Sequence, residues 1–171
     1  MKRLILFRHA QAVAKDAAQD FDRVLSARGR AQMEPVARHI ASLPCDLALV
    51  SPSARTRETW TLVRRPDVPA RFDQRIYEAS ERELLAVAQE ADPEAETIIL
   101  VGHNPALEEL AFDLVRAGEQ GAAAERLRLG FPTASVAVIA FDVESWRDLS
   151  RRTGQLVSFE TPASLGFGGS D

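Results

Sequence analysis

The chain reads as an α/β protein, a three-layer α/β/α sandwich around a mainly parallel sheet. Two unbroken apolar runs, Leu4-Ile5-Leu6-Phe7 and Ile98-Ile99-Leu100-Val101, have the length and composition of strands buried on both faces. Between such runs lie segments whose apolar residues recur at helical spacing, and serine, proline and glycine punctuate the alternation. At 171 residues the protein most simply forms one domain, expected over 1–165, followed by a flexible glycine-rich tail over 166–171.

Taken in order, a strand is expected near 3–8 and a helix over 27–42. In that helix Met33, Val36, Ala37 and Ile40 share a face, with Ser26 as N-cap and Pro44 just beyond its end. A second strand spans 46–50. Ser51-Pro52 then opens another helix, because serine caps well and proline is pre-organised for the first helical position. Pro66-Asp67-Val68-Pro69 is a turn, and 70–76 a short edge strand. Ser80-Glu81-Arg82-Glu83 is a capping box for a helix carrying Leu84, Leu85, Val87 and Ala88, which Asp92-Pro93 ends. After a buried strand over 97–101, Pro105 begins a helix with Leu107, Leu110, Ala111 and Leu114 inward, and Gly118 terminates it. The stretch 119–126 is a solvated loop or a short helix. Runs at 136–141 and 155–160 complete the sheet, their close spacing predicting an antiparallel edge.

Composition excludes several classes. Cys45 is the only cysteine, so no intramolecular disulfide or zinc knuckle can form, and the chain suits a reducing compartment, the cytoplasm by default. A formal net charge of −4 gives no overall attraction to nucleic acid or to an acidic membrane, so any anion site must be local. No segment approaches the ~20 apolar residues of a membrane span. The apolar run after Met1-Lys2-Arg3 is too short for a signal peptide, since it stops at Arg8-His9.

Chemistry is expected where strands leave the sheet, because ligands of open α/β folds gather outside the carboxyl ends of parallel strands. The chain has 3 histidines, and two of them, His9 and His103, follow the two apolar runs. A neutral imidazole there can attack phosphorus and hold the phosphoryl group covalently. Arg8 and Arg55 are suited to clamp its oxygens, since a guanidinium presents a planar fork of permanently charged donors. Neighbouring arginines would also disfavour protonation of His9. Ser51-Pro52 places Arg55 in a first helical turn, near the anion-attracting end. Asn104 is expected to cap the helix after His103 and to make an additional contact to phosphate. His39 and Cys45 receive no role, and Trp60 and Trp146 are expected to pack.

Three segments carry a family resemblance. Leu6-Phe7-Arg8-His9-Ala10, Ser51-Pro52-Ser53-Ala54-Arg55-Thr56-Arg57-Glu58-Thr59 and Val101-Gly102-His103-Asn104-Pro105 resemble, in order and spacing, the motifs of the histidine phosphatase superfamily, the phosphoglycerate mutase-like fold. Small size, Asp20-Phe21-Asp22-Arg23 and Leu25-Ser26-Ala27-Arg28-Gly29 make the chain similar to the SixA-type phosphohistidine phosphatase branch. The resemblance implies a phosphorylated nucleophile at His9, a phosphate pocket of Arg8, Arg55 and His103, and no metal or other cofactor. The general acid that phosphate esters require has Glu78 as its positional candidate, with Asp20 or Asp22 as alternatives. The expected substrate is phosphohistidine on a partner protein. A small-metabolite phosphatase or mutase, or a non-catalytic phosphate-binding module, are the alternatives.

Overall fold

In the computed structural model, which describes residues 1–168, the strand carrying Arg8 lies inside a six-stranded sheet. This strand, β1 (Lys2–Arg8), pairs in parallel with β4 (Thr97–Gly102) and antiparallel with β5 (Val136–Phe141). Beyond β4 lie β2 (Leu47–Val50) and the edge strand β3 (Ala70–Phe72), both parallel. Beyond β5 lies the other edge, β6 (Gln155–Glu160), antiparallel to β5. The order is therefore β3-β2-β4-β1-β5-β6, mainly parallel with β5 alone reversed.

Alternation along β1 divides the core in two. Leu4 and Leu6 face α3 (Glu81–Gln89), α4 (Ala106–Leu114) and α5 (Ala122–Arg128), meeting Leu84, Leu107 and Leu127 among others. Ile5 and Phe7 face α1 (Ala27–Ala41) and α2 (Ala54–Val63), meeting Met33, Val36 and Val63. Burial of both faces of β1 explains its continuous hydrophobicity. The two amphipathic layers complete the α/β/α sandwich.

Several boundaries depart from expectation for local reasons. Helix α2 begins at Ala54 with Ser53 as N-cap, not at Pro52. The Ser51 backbone instead prolongs the end of the sheet: its N–H donates to the Val101 carbonyl at 3.0 Å, and its carbonyl accepts from the Thr56 hydroxyl at 2.6 Å. The edge strand stops at Phe72, because Asp73 accepts a hydrogen bond from the Arg75 N–H (2.9 Å) and turns the chain into a 3-10 helix, Gln74–Ile76. Helix α4 ends at Leu114, not at Gly118; Val115 is already extended and bridges to Gly154, while Gly118 (φ 83°) lies in the turn beyond. The stretch after it holds α5, the helical alternative. The Ser80 capping box forms as expected.

Gly29 shows why helix α1 can sit close to the loop after β1. A Cβ on it would overlap the Gln11 carbonyl oxygen, so only a bare α-carbon permits this approach. Of the expected flexible tail, 166–168 closes a turn: the Phe167 N–H donates to the Pro162 carbonyl at 2.8 Å, and the Phe167 ring lies 5.1 Å from the Arg28 guanidinium. The expectation for 169–171 falls outside the described residues.

Candidate active site

The carboxyl ends of β1, β2 and β4 lie side by side, and each is followed at once by a polar side chain: His9, Ser51 and His103. Register aligns them. Arg8 is opposite Gly102, and the His9 N–H donates to the Gly102 carbonyl at 3.2 Å, so the two histidines leave neighbouring strands at the same level. Their ring centroids are 5.3 Å apart.

His9 is buried, and its Nδ1 lies 2.7 Å from the Ala10 carbonyl. A carbonyl can only accept, so Nδ1 carries the hydrogen and Nε2 keeps the lone pair. Burial chiefly, then the neighbouring His103, Arg55 and Arg8, push the His9 pKa down to about 3 against the upward pull of Ala10. His9 is thus a neutral imidazole with a free ring nitrogen at neutral pH. His103 is pushed down to about 3 as well, by burial first and then by Arg55, Arg8 and Arg23 against Asp20. Its Nε2 is 2.8 Å from the Ser51 hydroxyl. With that hydroxyl donating, the His103 proton sits on Nδ1, a buried atom with no protein partner.

Two arginines flank the rings. Arg8 donates through Nη1 to the Phe131 carbonyl (2.8 Å), and burial lowers its pKa. Arg55, in the first turn of α2, donates through Nη1 to the Asp20 carbonyl (2.7 Å) and through Nη2 to the Asp20 carboxylate (3.1 Å). In both arginines Nε is buried without a protein partner. Arg8, Arg55 and His103 therefore each hold one unmatched buried nitrogen, and such groups are rare unless a ligand uses them. Backbone supports the cluster: Phe131 also accepts from the Asn104 amide at 2.9 Å, and the Ala134 N–H donates to the His9 carbonyl at 2.9 Å.

The remaining expected residues take different places. Asn104 is not the expected N-cap: α4 starts at Ala106 with Pro105 as N-cap and no side-chain cap bond, while Asn104 one residue earlier accepts from the Glu108 N–H (3.3 Å) and braces Phe131 through its amide. Glu78 is exposed, follows Tyr77 directly in the chain and has a left-handed backbone conformation (φ 59°). Asp22 is exposed on the 3-10 turn Asp20–Asp22. Asp20 reaches the pocket: besides Arg55 it accepts from the Tyr77 hydroxyl (2.5 Å) and from Arg23 (2.9 Å). These bonds, Tyr77 first, hold its pKa far below the usual carboxylate range, while the Tyr77 hydroxyl is pushed up to about 12. His39 and Cys45 lie away from this cluster; burial raises the Cys45 thiol to about 11, so it is no thiolate nucleophile. Sequence reasoning missed Ser51 as the partner of His103 and Tyr77 as the partner of Asp20. The only signal for Ser51 was its position directly after a strand, like both histidines.

Comparison with known proteins bears on this arrangement. The model of the histidine phosphatase superfamily (branch 1) matches residues 4–85. An uncharacterised protein of Mycobacterium tuberculosis is 32% identical over 158 residues, covering 91% of this chain and 99% of that one. Among solved structures, SixA of Agrobacterium tumefaciens, whose assigned activity is that of a phosphohistidine phosphatase, is 31% identical with a TM-score of 0.76 over 94% of this chain and 99% of that chain. SixA of Nakamurella multipartitia, with the same assignment, is 29% identical with a TM-score of 0.82, covering 94% and 96%.

Proposed function

Since the chain belongs to the histidine phosphatase superfamily, and is a phosphatase of SixA-like type, we propose that it works through a phosphorylated His9 and removes phosphate from phosphohistidine on a partner protein. The observation that carries this reading is the free Nε2 of a neutral, buried His9 beside three unmatched buried nitrogens, on Arg8, Arg55 and His103. Those three groups match the several charged oxygens of a phosphoryl group.

In this reading the phosphoryl oxygens accept from Arg8, Arg55 and His103 Nδ1, and the His9 Nε2 lone pair attacks phosphorus. The P–N bond to His9 forms as the bond to the leaving group breaks. The positive charge arriving on the ring is eased by the Nδ1 hydrogen bond to the Ala10 carbonyl. Water then attacks phosphorus, the P–N bond breaks and His9 returns to the neutral state. A leaving imidazole needs little help. A leaving alkoxide needs a proton, and the exposed Glu78, next to Tyr77 in the chain, is the proposed donor. The exposed Phe21, edge to face with Tyr77, which itself meets His103, suits contact with a protein surface. A free Cys45 suits work in the cytoplasm.

Incubation with an aryl phosphate in the presence of chelator should yield turnover and an acid-labile phosphate mapped to His9. His9→Ala should lower turnover by on the order of 10³-fold or more; turnover that survives the substitution would overturn the reading. Glu78→Gln should lose activity on esters while keeping it on phosphohistidine.

A further inference from the structure

Arg55 has two usable edges, the end formed by Nη1 and Nη2 and the side formed by Nε and Nη2. Asp20 occupies the end: its backbone carbonyl accepts from Nη1 at 2.7 Å and its carboxylate from Nη2 at 3.1 Å. The side edge carries the buried, unmatched Nε. Asp20 thus grips the guanidinium from behind and turns its bidentate side edge away from itself. The grip is itself fixed. Oδ2 also accepts from the Tyr77 hydroxyl at 2.5 Å, and Oδ1 from Arg23 Nη2 at 2.9 Å, which anchors in turn through Nη1 to the Val13 carbonyl at 2.8 Å. Phe21 and Tyr77 stack edge to face with centroids 5.1 Å apart, and Tyr77 meets His103 at 5.7 Å. Half of the Asp20 side chain remains open to solvent, at 50% exposure. With Arg23 Nε also donating to Oδ1 at 3.3 Å, the carboxylate has four donors onto it and is a fixed negative charge on the rim, not a wandering surface group.

We propose that Asp20 both positions Arg55 for the phosphoryl group and selects the leaving group, admitting those without a second anion and disfavouring those that carry a carboxylate or another phosphate beside the scissile bond. The inference rests on the phosphatase reading above and narrows it to neutral leaving groups, of which an imidazole side chain is one. Two separable effects are implied. The hydrogen bonds orient Arg55, and the charge filters the substrate. Asparagine keeps the shape and an acceptor but removes the charge, whereas alanine removes both.

The test compares two aryl phosphates, one plain and one bearing a carboxylate next to the phosphoryl group, together with tungstate binding followed by calorimetry. Wild-type protein should prefer the plain ester. Asp20→Asn should shrink that preference by about twofold to fivefold, the range expected of a half-exposed charge pair, while still binding tungstate. Asp20→Ala should shrink the preference similarly and also weaken tungstate binding, because Arg55 keeps only its Nη1 bond to the backbone carbonyl of residue 20 and loses the carboxylate bond that fixes the angle of its plane. Tyr77→Phe, which loosens the carboxylate without altering any charge, should move the preference in the same direction by less, and it carries the test should the Asp20 variants fail to fold. An unchanged preference in folded Asp20→Asn, or in Tyr77→Phe where the Asp20 variants do not fold, overturns the filter; tungstate affinity unchanged in folded Asp20→Ala overturns the positioning role. Failure of the wild-type protein to bind tungstate or to cleave either ester would instead strike at the phosphatase reading itself.

Discussion

Ser51 illustrates how one buried side chain orients another. It is fully buried and holds His103 Nε2 at 2.8 Å, so it fixes the ring orientation and leaves Nδ1 as the nitrogen without a protein partner. Ser51→Ala should lower kcat about tenfold, close to 1.4 kcal/mol of transition-state stabilisation, with the phosphorylated His9 still detectable by mapping. Burst kinetics would check it, and full-rate turnover would show that His103 needs no orientation. The two histidines were legible in the sequence because each directly follows a continuous apolar run. Ser51 was not, since its meeting with His103 depends on β2 lying next to β4, and hydrophobic periodicity does not encode strand order. Asp20 was legible only as one of three carboxylates, because a polar loop carries no periodic signal that says which residue turns inward.

Among the elements, the contact between α1 and the loop after β1 is the most demanding. Gly29 abuts the Gln11 carbonyl, and the same loop is held by the Gln11 N–H to Gln32 Oε1 bond at 2.9 Å. Glu58 of α2 adds a second tie, accepting from the Leu25 N–H at 2.9 Å and pairing with Arg30 at 2.6 Å. Gly29→Ala must push the helix or the loop aside and should destabilise the protein by about 1–3 kcal/mol, the usual cost of overpacking. Urea unfolding would measure it, and a neutral effect would show that the loop yields freely. Element types were readable from periodicity and caps; their ends shifted where a side chain captured the backbone, as Asp73 does after β3 and Thr56 does at Ser51. Such captures are single hydrogen bonds, too local to leave a pattern.

For the whole molecule, burying imidazoles has a thermodynamic cost in acid. His9 and His103 are each pushed down to about 3, and burial lowers His39 in the same direction. Below about 6.5, the pKa of an unfolded histidine, the unfolded chain takes up protons that the folded protein refuses. Stability should therefore be at its full value above that pH and fall as pH drops towards 3, with a slope approaching 2.7 kcal/mol per pH unit for two such groups, as an order of magnitude. Urea midpoints measured between pH 7 and pH 4 would show it, and His103→Ala should flatten the slope. The sheet order carries one more consequence, for synthesis. Ile5 is translated long before both of its strand neighbours, Ile99 on one side and Val138 on the other. During synthesis β1 must wait unpaired until β4 emerges and paired on one edge only until β5 follows, so nascent chains expose Leu4 to Phe7.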